Sequence, residues 1–169
     1  SKAAPKIKIL SNVLRSQIEL HKEFGGVYPN LAKREHAKNL PPILLENLKS
    51  ANLIKETFSP LSEDQKNILK ETLSHESGLA EEIIKIAESI DKPDIDYIAV
   101  TTGPGLEPAL WVGINFAKAL NKIWNIPLVP VNHMEGHVLS VLIDSKKTED
   151  QEIDLSSFEF PSLALLISG

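Results

Sequence analysis

Residues 97–106, Tyr-Ile-Ala-Val-Thr-Thr-Gly-Pro-Gly-Leu, decide the fold class of this chain. The run from Tyr97 to Thr101 is short and apolar, which predicts a buried strand. Gly103-Pro104-Gly105 predicts a tight turn, because glycine and proline favour turn geometry. The strongly apolar segment from Leu106 to Trp124 predicts a helix. A strand, a turn and a helix in this order indicate an α/β protein.

A second strand and a pair of histidines follow this helix. Ile126 to Val131 has the composition of a short strand, and His133-Met134-Glu135-Gly136-His137 comes directly after it. A spacing of four residues puts both imidazoles on one face of a helix, where they can share a metal ion. In open α/β sheets, ligands bind at the carboxyl ends of the strands. The pattern therefore predicts a metal-dependent site with His133 and His137 as ligands.

The histidine pair has two other interpretations. An isolated His-x-x-x-His pair can pack and hydrogen-bond without a metal as readily as it can bind one, although the position after a strand favours a site. A metalloprotease helix of the His-Glu-x-x-His type places its glutamate beside the first histidine. Here Glu135 comes two residues after His133, about 200° round the helix. The protease interpretation is therefore disfavoured.

The glycine-rich turn is weaker evidence for a site. Gly103-Pro104-Gly105 would expose backbone amides at the start of a helix, and helix amino termini attract anions. The turn lacks the lysine of a P-loop and the spacing of a dinucleotide fingerprint. A plain turn between a strand and a helix is therefore the favoured interpretation.

The rest of the chain predicts further helices and strands around this unit. Leu31 to about Leu48 has helical spacing, and Pro41-Pro42 is expected to divide it into two helices. Leu79 to Ile90 predicts an amphipathic helix. The polar segment from about Asn52 to Ser77 is interpreted as an inserted helical excursion. Other predictions are a short helix from Ser62-Glu63-Asp64 to Leu73, strands at Lys6 to Leu10 and Ser162 to Ile167, and a loop from Asp144 to Ser157.

Composition limits the class of protein. The chain has 169 residues, of which 42% are hydrophobic and 24% charged, as is typical of one globular domain. It contains no bilayer-length apolar run and no secretory signal pattern, so a cytoplasmic protein without membrane contact is expected. The absence of cysteine excludes disulfides and thiolate metal ligands. The net charge of −5 argues against a surface covered with phosphate-binding cations.

A small basic cluster is formed by Lys33, Arg34, His36 and Lys38. A solvated helix face is the favoured interpretation of this cluster. An RNA contact is the alternative, since phosphate binding needs only local positive charge.

Four separated motifs resemble the TsaD family, the universal tRNA threonylcarbamoyladenosine synthases once labelled glycoprotein endopeptidases. The histidine motif His133-Met134-Glu135-Gly136-His137 is identical to the family signature. The first of the other three motifs has three neighbouring parts: Ser16-Gln17 with His21, Gly25-Gly26-Val27-Tyr28-Pro29 and Leu31-Ala32-Lys33-Arg34-Glu35-His36. The second is Thr102-Gly103-Pro104-Gly105-Leu106. The third is Leu166-Ile167-Ser168-Gly169.

The resemblance implies an actin-like ATPase (ribonuclease H-like) lobe, with a mixed sheet flanked by helices and an insertion at about residues 52–77. It implies transfer of a threonylcarbamoyl group from threonylcarbamoyl-AMP to the exocyclic amine of the adenosine beside the tRNA anticodon. His133 and His137 would hold one divalent metal ion, iron or zinc. The substrate would contact Leu166, Ile167, Ser168 and Gly169. TsaB-like and TsaE-like proteins are the implied partners, and the helices of the lobe would contact the TsaB-like protein or a second copy.

The departures from the family pattern carry an expectation of their own. The family's first strand is not found before Lys6, and the carboxylate that would complete the metal site is not found after Gly169. Residues 1–169 are therefore expected to form only the amino-terminal lobe and to be inactive alone. The alternative is a non-catalytic interaction lobe that pairs with a TsaB-like partner. The intact histidine motif favours the enzyme, because TsaB-like paralogues of the same fold lack it.

Overall fold

Helices and short strands alternate along the chain. The computed structural model describes residues 6–17, 19, 22, 26, 28–76, 78–140 and 152–154. Within these ranges, no helix combines the length and apolar character needed to cross a membrane. The elements are β1 (Lys6–Lys8), α1 (Pro29–Ser50), α2 (Glu63–Thr72), α3 (Leu79–Ser89), β2 (Ile98–Gly103), α4 (Glu107–Trp124), β3 (Leu128–Asn132), α5 (His133–Ser140) and β4 (Glu152–Asp154).

The β–α–β unit predicted from the sequence is confirmed. β2 and β3 are parallel, with Ile98 opposite Leu128, and α4 connects them and packs against β2. α4 ends at Trp124 and is followed by Asn125, whose φ of 51° is left-handed. The Asn121 side-chain amide donates a hydrogen bond to the Ile126 carbonyl at 2.8 Å, which fixes the path from α4 into β3.

β2 is less buried than its apolar sequence predicts. Ile98 and Val100 are half-buried, whereas Ala99 and Thr102 are exposed. α4 packs on one face of the β2–β3 pair, and Ala99, which points to the opposite face from Ile98 and Val100, is exposed. A continuously apolar strand is buried only when both faces of its sheet are covered. The prediction of a buried strand is therefore wrong.

α1 to α4 enclose the apolar core. α3 contributes the face predicted from its spacing, since Leu79, Ile83 and Ile86 are all buried. The helix ends at Ser89, and Ile90 is extended and also buried. The core further contains Ala37, Leu48, Leu69, Leu73, Ala80, Val112, Phe116, Ala119, Leu120, Trp124 and Ile126.

α1 continues through Pro41-Pro42, so the predicted division into two helices is wrong. Neither proline can donate its backbone nitrogen to a carbonyl one turn earlier, which normally breaks a helix. Here Pro41 is buried, together with Ala37 and Leu48 on the same helix, and α1 packs against α3 and α4. Tertiary packing therefore outweighs the lost hydrogen bonds.

α2 forms where a short helix was predicted, and its start has a capping box. The Ser62 hydroxyl accepts a hydrogen bond from the Gln65 backbone at 3.2 Å, and the Gln65 side chain accepts one from the Ser62 backbone at 2.9 Å. The helix packs on the rest of the chain, because Leu69 and Leu73, the residue after its end, are buried in the common core. α2 packs against α3 and α4.

A two-stranded antiparallel ladder joins β1 to β4. Ile7 is opposite Ile153, and Lys6 is opposite Asp154. β1 occupies part of the predicted strand at Lys6 to Leu10. The loop predicted from Asp144 to Ser157 is wrong at Glu152–Asp154, because three polar-flanked residues carry too little periodicity to signal a strand. Pairing with β1 supplies the backbone hydrogen bonds that define it.

An ion pair links α2 to α3. The Glu88 carboxylate accepts hydrogen bonds from the Leu61 backbone N–H at 3.1 Å and from the Lys66 ammonium at 3.2 Å. The Leu61 N–H, followed by Lys66, lowers the pKa of Glu88 below its ordinary value of 4.5. The hydrogen bond to Glu88 raises the pKa of Lys66 above 10.5. Both charged forms are thus favoured in the folded chain.

Replacement of Leu69 by alanine is expected to lower the free energy of unfolding by about 2–5 kcal/mol, because Leu69 is only 1% exposed. The neighbouring Ile68 is 44% exposed, so Ile68→Ala is the matched control, with an expected loss below about 1 kcal/mol. Urea unfolding followed by circular dichroism measures both losses. Equally small losses in the two variants would contradict the burial of α2 in the core.

Glu88→Gln is expected to lower the Tm at pH 7, because it keeps an acceptor for the Leu61 N–H but removes the charge opposite Lys66. The lowered pKa of Glu88 means that its contribution is complete above pH 4.5 and is lost as the pH falls further. The raised pKa of Lys66 means that its contribution is complete below pH 10.5 and is lost at higher pH. The difference in Tm between wild type and variant should therefore shrink below pH 4.5.

Thermal unfolding from pH 3 to pH 8 provides the test, with Glu81→Gln on the exposed side of α3 as the control. A difference in Tm that is as large at pH 3 as at pH 7 would show that the charge of Glu88 contributes nothing.

Candidate functional site

Asn132, the last residue of β3, fixes the start of α5. Its side-chain oxygen accepts hydrogen bonds from the backbone N–H groups of Met134 at 2.8 Å and Glu135 at 3.3 Å. A cap of this kind satisfies N–H groups that have no acceptor within the helix. α5 therefore begins at His133, at the carboxyl end of a strand, as the sequence predicts. Asn132 was not among the predicted site residues, although an asparagine directly before a helical run is a helix-start signal.

His133 and His137 face each other across one turn of α5. Their Nε2 atoms are 3.2 Å apart, and their ring planes meet at 67°. Two imidazole nitrogens bound to one tetrahedral ion at about 2.0–2.1 Å would lie roughly 3.3 Å apart. Both side chains are exposed. The prediction that the spacing brings both imidazoles to one face is confirmed, and their separation fits a shared metal ion.

A hydrogen bond between two neutral imidazoles also accounts for this distance, with one Nε2 as donor and the other as acceptor. In the described part of the chain, no third His, Asp or Glu completes a group that could hold a metal. Glu135 is exposed on α5 and belongs to no such group. This agrees with the prediction that Glu135 points away from a metal held by both histidines.

A cavity of about 470 Å³ lies beside His133. β2 contributes Thr101 to its wall, α4 contributes Leu110, and α1 contributes His36. Pro104 and Gly105 complete the same wall together with Ala99, Val100, Leu106, Ala109 and Gly113. His133 therefore stands next to an apolar hollow that is large enough for a small ligand.

The Gly103-Pro104-Gly105 turn shapes the edge of this cavity. Gly103 has a φ of 139°, a backbone angle that residues other than glycine rarely adopt. α4 begins two residues after Gly105, at Glu107, which places a carboxylate in the first turn of the helix. That charge already complements the positive end of the helix dipole. This agrees with a plain turn between a strand and a helix.

The four residues of the predicted basic cluster do not share one environment. Arg34 and Lys38 are exposed, as expected of a solvated face, whereas Lys33 and His36 are half-buried. His36 Nδ1 lies 2.7 Å from the Ala32 carbonyl. Since a carbonyl can only accept, Nδ1 donates to it, and in the neutral ring Nε2 is the acceptor. The prediction of a solvated face is therefore wrong for Lys33 and His36.

The predicted substrate-binding residues Leu166, Ile167, Ser168 and Gly169 lie outside the described residues. The predicted strand from Ser162 to Ile167 lies outside them as well.

Comparison with known proteins identifies the family. The model of the TsaD family, described as tRNA N6-adenosine threonylcarbamoyltransferase, matches residues 8–59 and 73–169. Curated relatives with this name are 36% identical in Persephonella marina, 35% in Fusobacterium nucleatum and 38% in Koribacter versatilis. The alignments cover 95%, 96% and 96% of this chain, but only 33%, 33% and 32% of the relatives.

The chain thus spans about a third of the length of these curated relatives. The resemblance drawn from the sequence motifs is confirmed, and so is the expected α/β fold class. The chain belongs to the TsaD family of tRNA N6-adenosine threonylcarbamoyltransferases, whose members have an actin-like, ribonuclease H-like ATPase fold.

Proposed function

We propose that this chain is the amino-terminal lobe of a tRNA N6-adenosine threonylcarbamoyltransferase and that His133 and His137 hold its metal ion. The observation that carries the proposal is the 3.2 Å separation of the two Nε2 atoms. The two histidines follow the end of β3, and His133 helps to line the cavity beside them. Residues 1–169 are assigned to this one lobe, with the insertion at about residues 52–77.

The proposed reaction moves a threonylcarbamoyl group from threonylcarbamoyl-AMP to the adenosine beside the tRNA anticodon. The exocyclic amine attacks the carbamoyl carbon, a new C–N bond forms, the bond to the phosphate oxygen breaks, and AMP leaves. The amine loses one proton to solvent as AMP leaves. A bound iron or zinc ion would act as a Lewis acid on the carbamoyl group.

The residues of this chain would contribute binding and orientation. His133 and His137 offer neutral nitrogen ligands on a short helix that Asn132 caps. Leu166, Ile167, Ser168 and Gly169 are proposed to contact the substrate, as the family motif implies. Ligands that lie outside the described residues would complete the coordination of the metal.

A contact with a partner protein is proposed where the segment before α1 lies against this helix. Arg15 Nη2 lies 3.5 Å from Glu46 Oε2 on α1, so the segment before α1 runs along this helix. Leu10 and Leu14 in that segment are exposed, and exposed apolar side chains of this kind favour a protein contact. A TsaB-like protein is the proposed occupant, and a second copy of the chain is the alternative. A TsaE-like protein is proposed as a further partner and tRNA as the substrate. The proposed location is the cytoplasm.

A second function is supported by one observation. The hydrogen-bond explanation of the His133–His137 distance needs no metal, and no third ligand is present among the described residues. A non-catalytic interaction lobe that pairs with a TsaB-like protein would therefore keep the same geometry. Metal affinity separates the two functions.

His133→Ala and His137→Ala are each expected to weaken the binding of Zn²⁺ and Fe²⁺ by at least about tenfold, because a single imidazole cannot chelate. Calorimetric titration of the purified chain under anaerobic conditions measures both affinities. His75→Ala, which removes another exposed histidine, is the matched control and should bind as the wild type does. Equal affinity in all four proteins, or no binding by the wild type, would favour the interaction lobe.

A chimaera tests the catalytic assignment. This chain replaces the matching third of the Persephonella marina relative, and the product is assayed with tRNA, threonylcarbamoyl-AMP and the TsaB-like and TsaE-like proteins. We expect threonylcarbamoyladenosine to form and the double variant His133→Ala/His137→Ala to lose at least about a hundredfold in rate. The isolated chain should form none.

Circular dichroism confirms that each chimaera is folded before its activity is compared. A folded chimaera that is inactive, or a double variant as active as its parent, would contradict the assignment. Product formation by the isolated chain would contradict its role as one lobe of a larger enzyme.

A further inference from the structure

His36 is a half-buried histidine that the proposed transfer reaction does not use. It lies on α1, and it lines the same cavity as His133, which lies on α5. In the part of the chain that the structure describes, no group of three His, Asp or Glu side chains could hold a metal ion. The structure therefore gives His36 a place beside the first histidine of the pair without making it a third metal ligand.

One short contact fixes which nitrogen of the His36 ring carries a proton. Nδ1 lies 2.7 Å from the Ala32 carbonyl oxygen, one turn earlier in α1. An unprotonated nitrogen would repel an oxygen at this distance, so Nδ1 donates, and Nε2 of the neutral ring is left as an acceptor. The side-chain nitrogen of Gln17 lies 3.3 Å from the same Nδ1, so the segment before α1 also contacts the ring. The ring thus offers one acceptor in a fixed orientation.

The walls of this cavity are mainly apolar. Val100, Leu106, Ala109 and Leu110 all contribute to them. A Cβ atom built on Gly105 would lie 3.4 Å from Leu110 Cδ1, so the Leu110 side chain lies against the glycine-rich turn. A single acceptor between apolar walls favours a small group that is apolar on one side and donates a hydrogen bond on the other.

The threonyl side chain is the part of the proposed substrate that has this chemistry. The carboxylate and the phosphate carry no hydrogen that they could donate to Nε2. The carbamoyl group and the adenosine amine belong to the reacting atoms, on which the metal ion would act. The threonyl side chain combines a methyl group with a hydroxyl group that can donate a hydrogen bond.

We propose that His36 determines specificity for the threonyl group: the threonyl hydroxyl donates a hydrogen bond to Nε2, and the methyl group lies against Leu110. This inference rests on the proposed transferase function and assigns the cavity beside His133 to one part of the substrate. A substrate without the hydroxyl would leave Nε2 without a donor among apolar walls, which disfavours its binding.

The chimaera with the Persephonella marina relative is assayed with two substrates, threonylcarbamoyl-AMP and 2-aminobutyrylcarbamoyl-AMP. The second has a hydrogen atom in place of the threonyl hydroxyl. We expect kcat/KM of the wild-type chimaera to be at least about tenfold higher for threonylcarbamoyl-AMP. Circular dichroism confirms that each variant is folded before its kinetics are compared.

Two variants of His36 separate the acceptor from the ring. His36→Asn can keep the bond to the Ala32 carbonyl, as Asn47 does to the Ile43 carbonyl at 3.0 Å in the same helix. It has no atom at the position of Nε2, so the preference should fall below about twofold. His36→Gln places an amide oxygen near that position and should retain most of the preference. His75→Ala, whose residue lies outside the walls of this cavity, is the control and should keep the wild-type preference.

Three results would overturn the role of His36: equal kcat/KM of the active wild-type chimaera for both substrates, an undiminished preference in His36→Asn, or a preference lost as fully in His36→Gln as in His36→Asn. If His36→Asn does not fold, His36→Leu takes its place with the same expected loss. A folded wild-type chimaera that is inactive with threonylcarbamoyl-AMP contradicts the transferase function and this inference with it. An active chimaera without the preference contradicts the role of His36 alone.

Discussion

The burial of α4 is the constraint on which the rest of the structure depends. Val112 and Ala119 are 0% exposed near its middle, and the helix packs against α1, α2 and α3 as well as against β2 and β3. A helix with partners on several sides must be apolar over most of its circumference. It contributes residues to the walls of two cavities, one beside His133 and one beside Glu76.

α4, β2, β3 and α3 are the elements whose existence the sequence predicts best. α4, β2 and β3 follow from apolar runs, and α3 follows from its amphipathic spacing. Local signals fail where tertiary contacts outweigh them. The prolines of α1 favour a break, but burial of Pro41 and its neighbours keeps the helix continuous. β4 cannot be predicted from the sequence, because its three residues gain a strand conformation only by pairing with β1.

The candidate site is partly predictable for the same reason. The placement of His133 and His137 on one face follows from helix periodicity, which a sequence displays directly. The role of His36 could not be foreseen, because α1 reaches the cavity only through the packing of α1 on α4. The polar composition of α2 likewise conceals that Leu69 and Leu73 complete the core. One buried residue within the ten of α2, followed by Leu73 after its end, is too little to distinguish a packed helix from a solvated one.

The placement of the two histidines on one face comes from the backbone. β3 ends at Asn132, whose side chain fixes the first turn of α5, and the four-residue spacing then brings both imidazoles to the same face, where their Nε2 atoms lie 3.2 Å apart. Both rings remain exposed, so an ion held by them would keep coordination positions open towards solvent and towards any group brought by the rest of a longer protein. Catalytic metal sites need such open positions. In the proposed function, a lobe that presents these two ligands and leaves the others to a second element would couple metal binding to the assembly of the complete site.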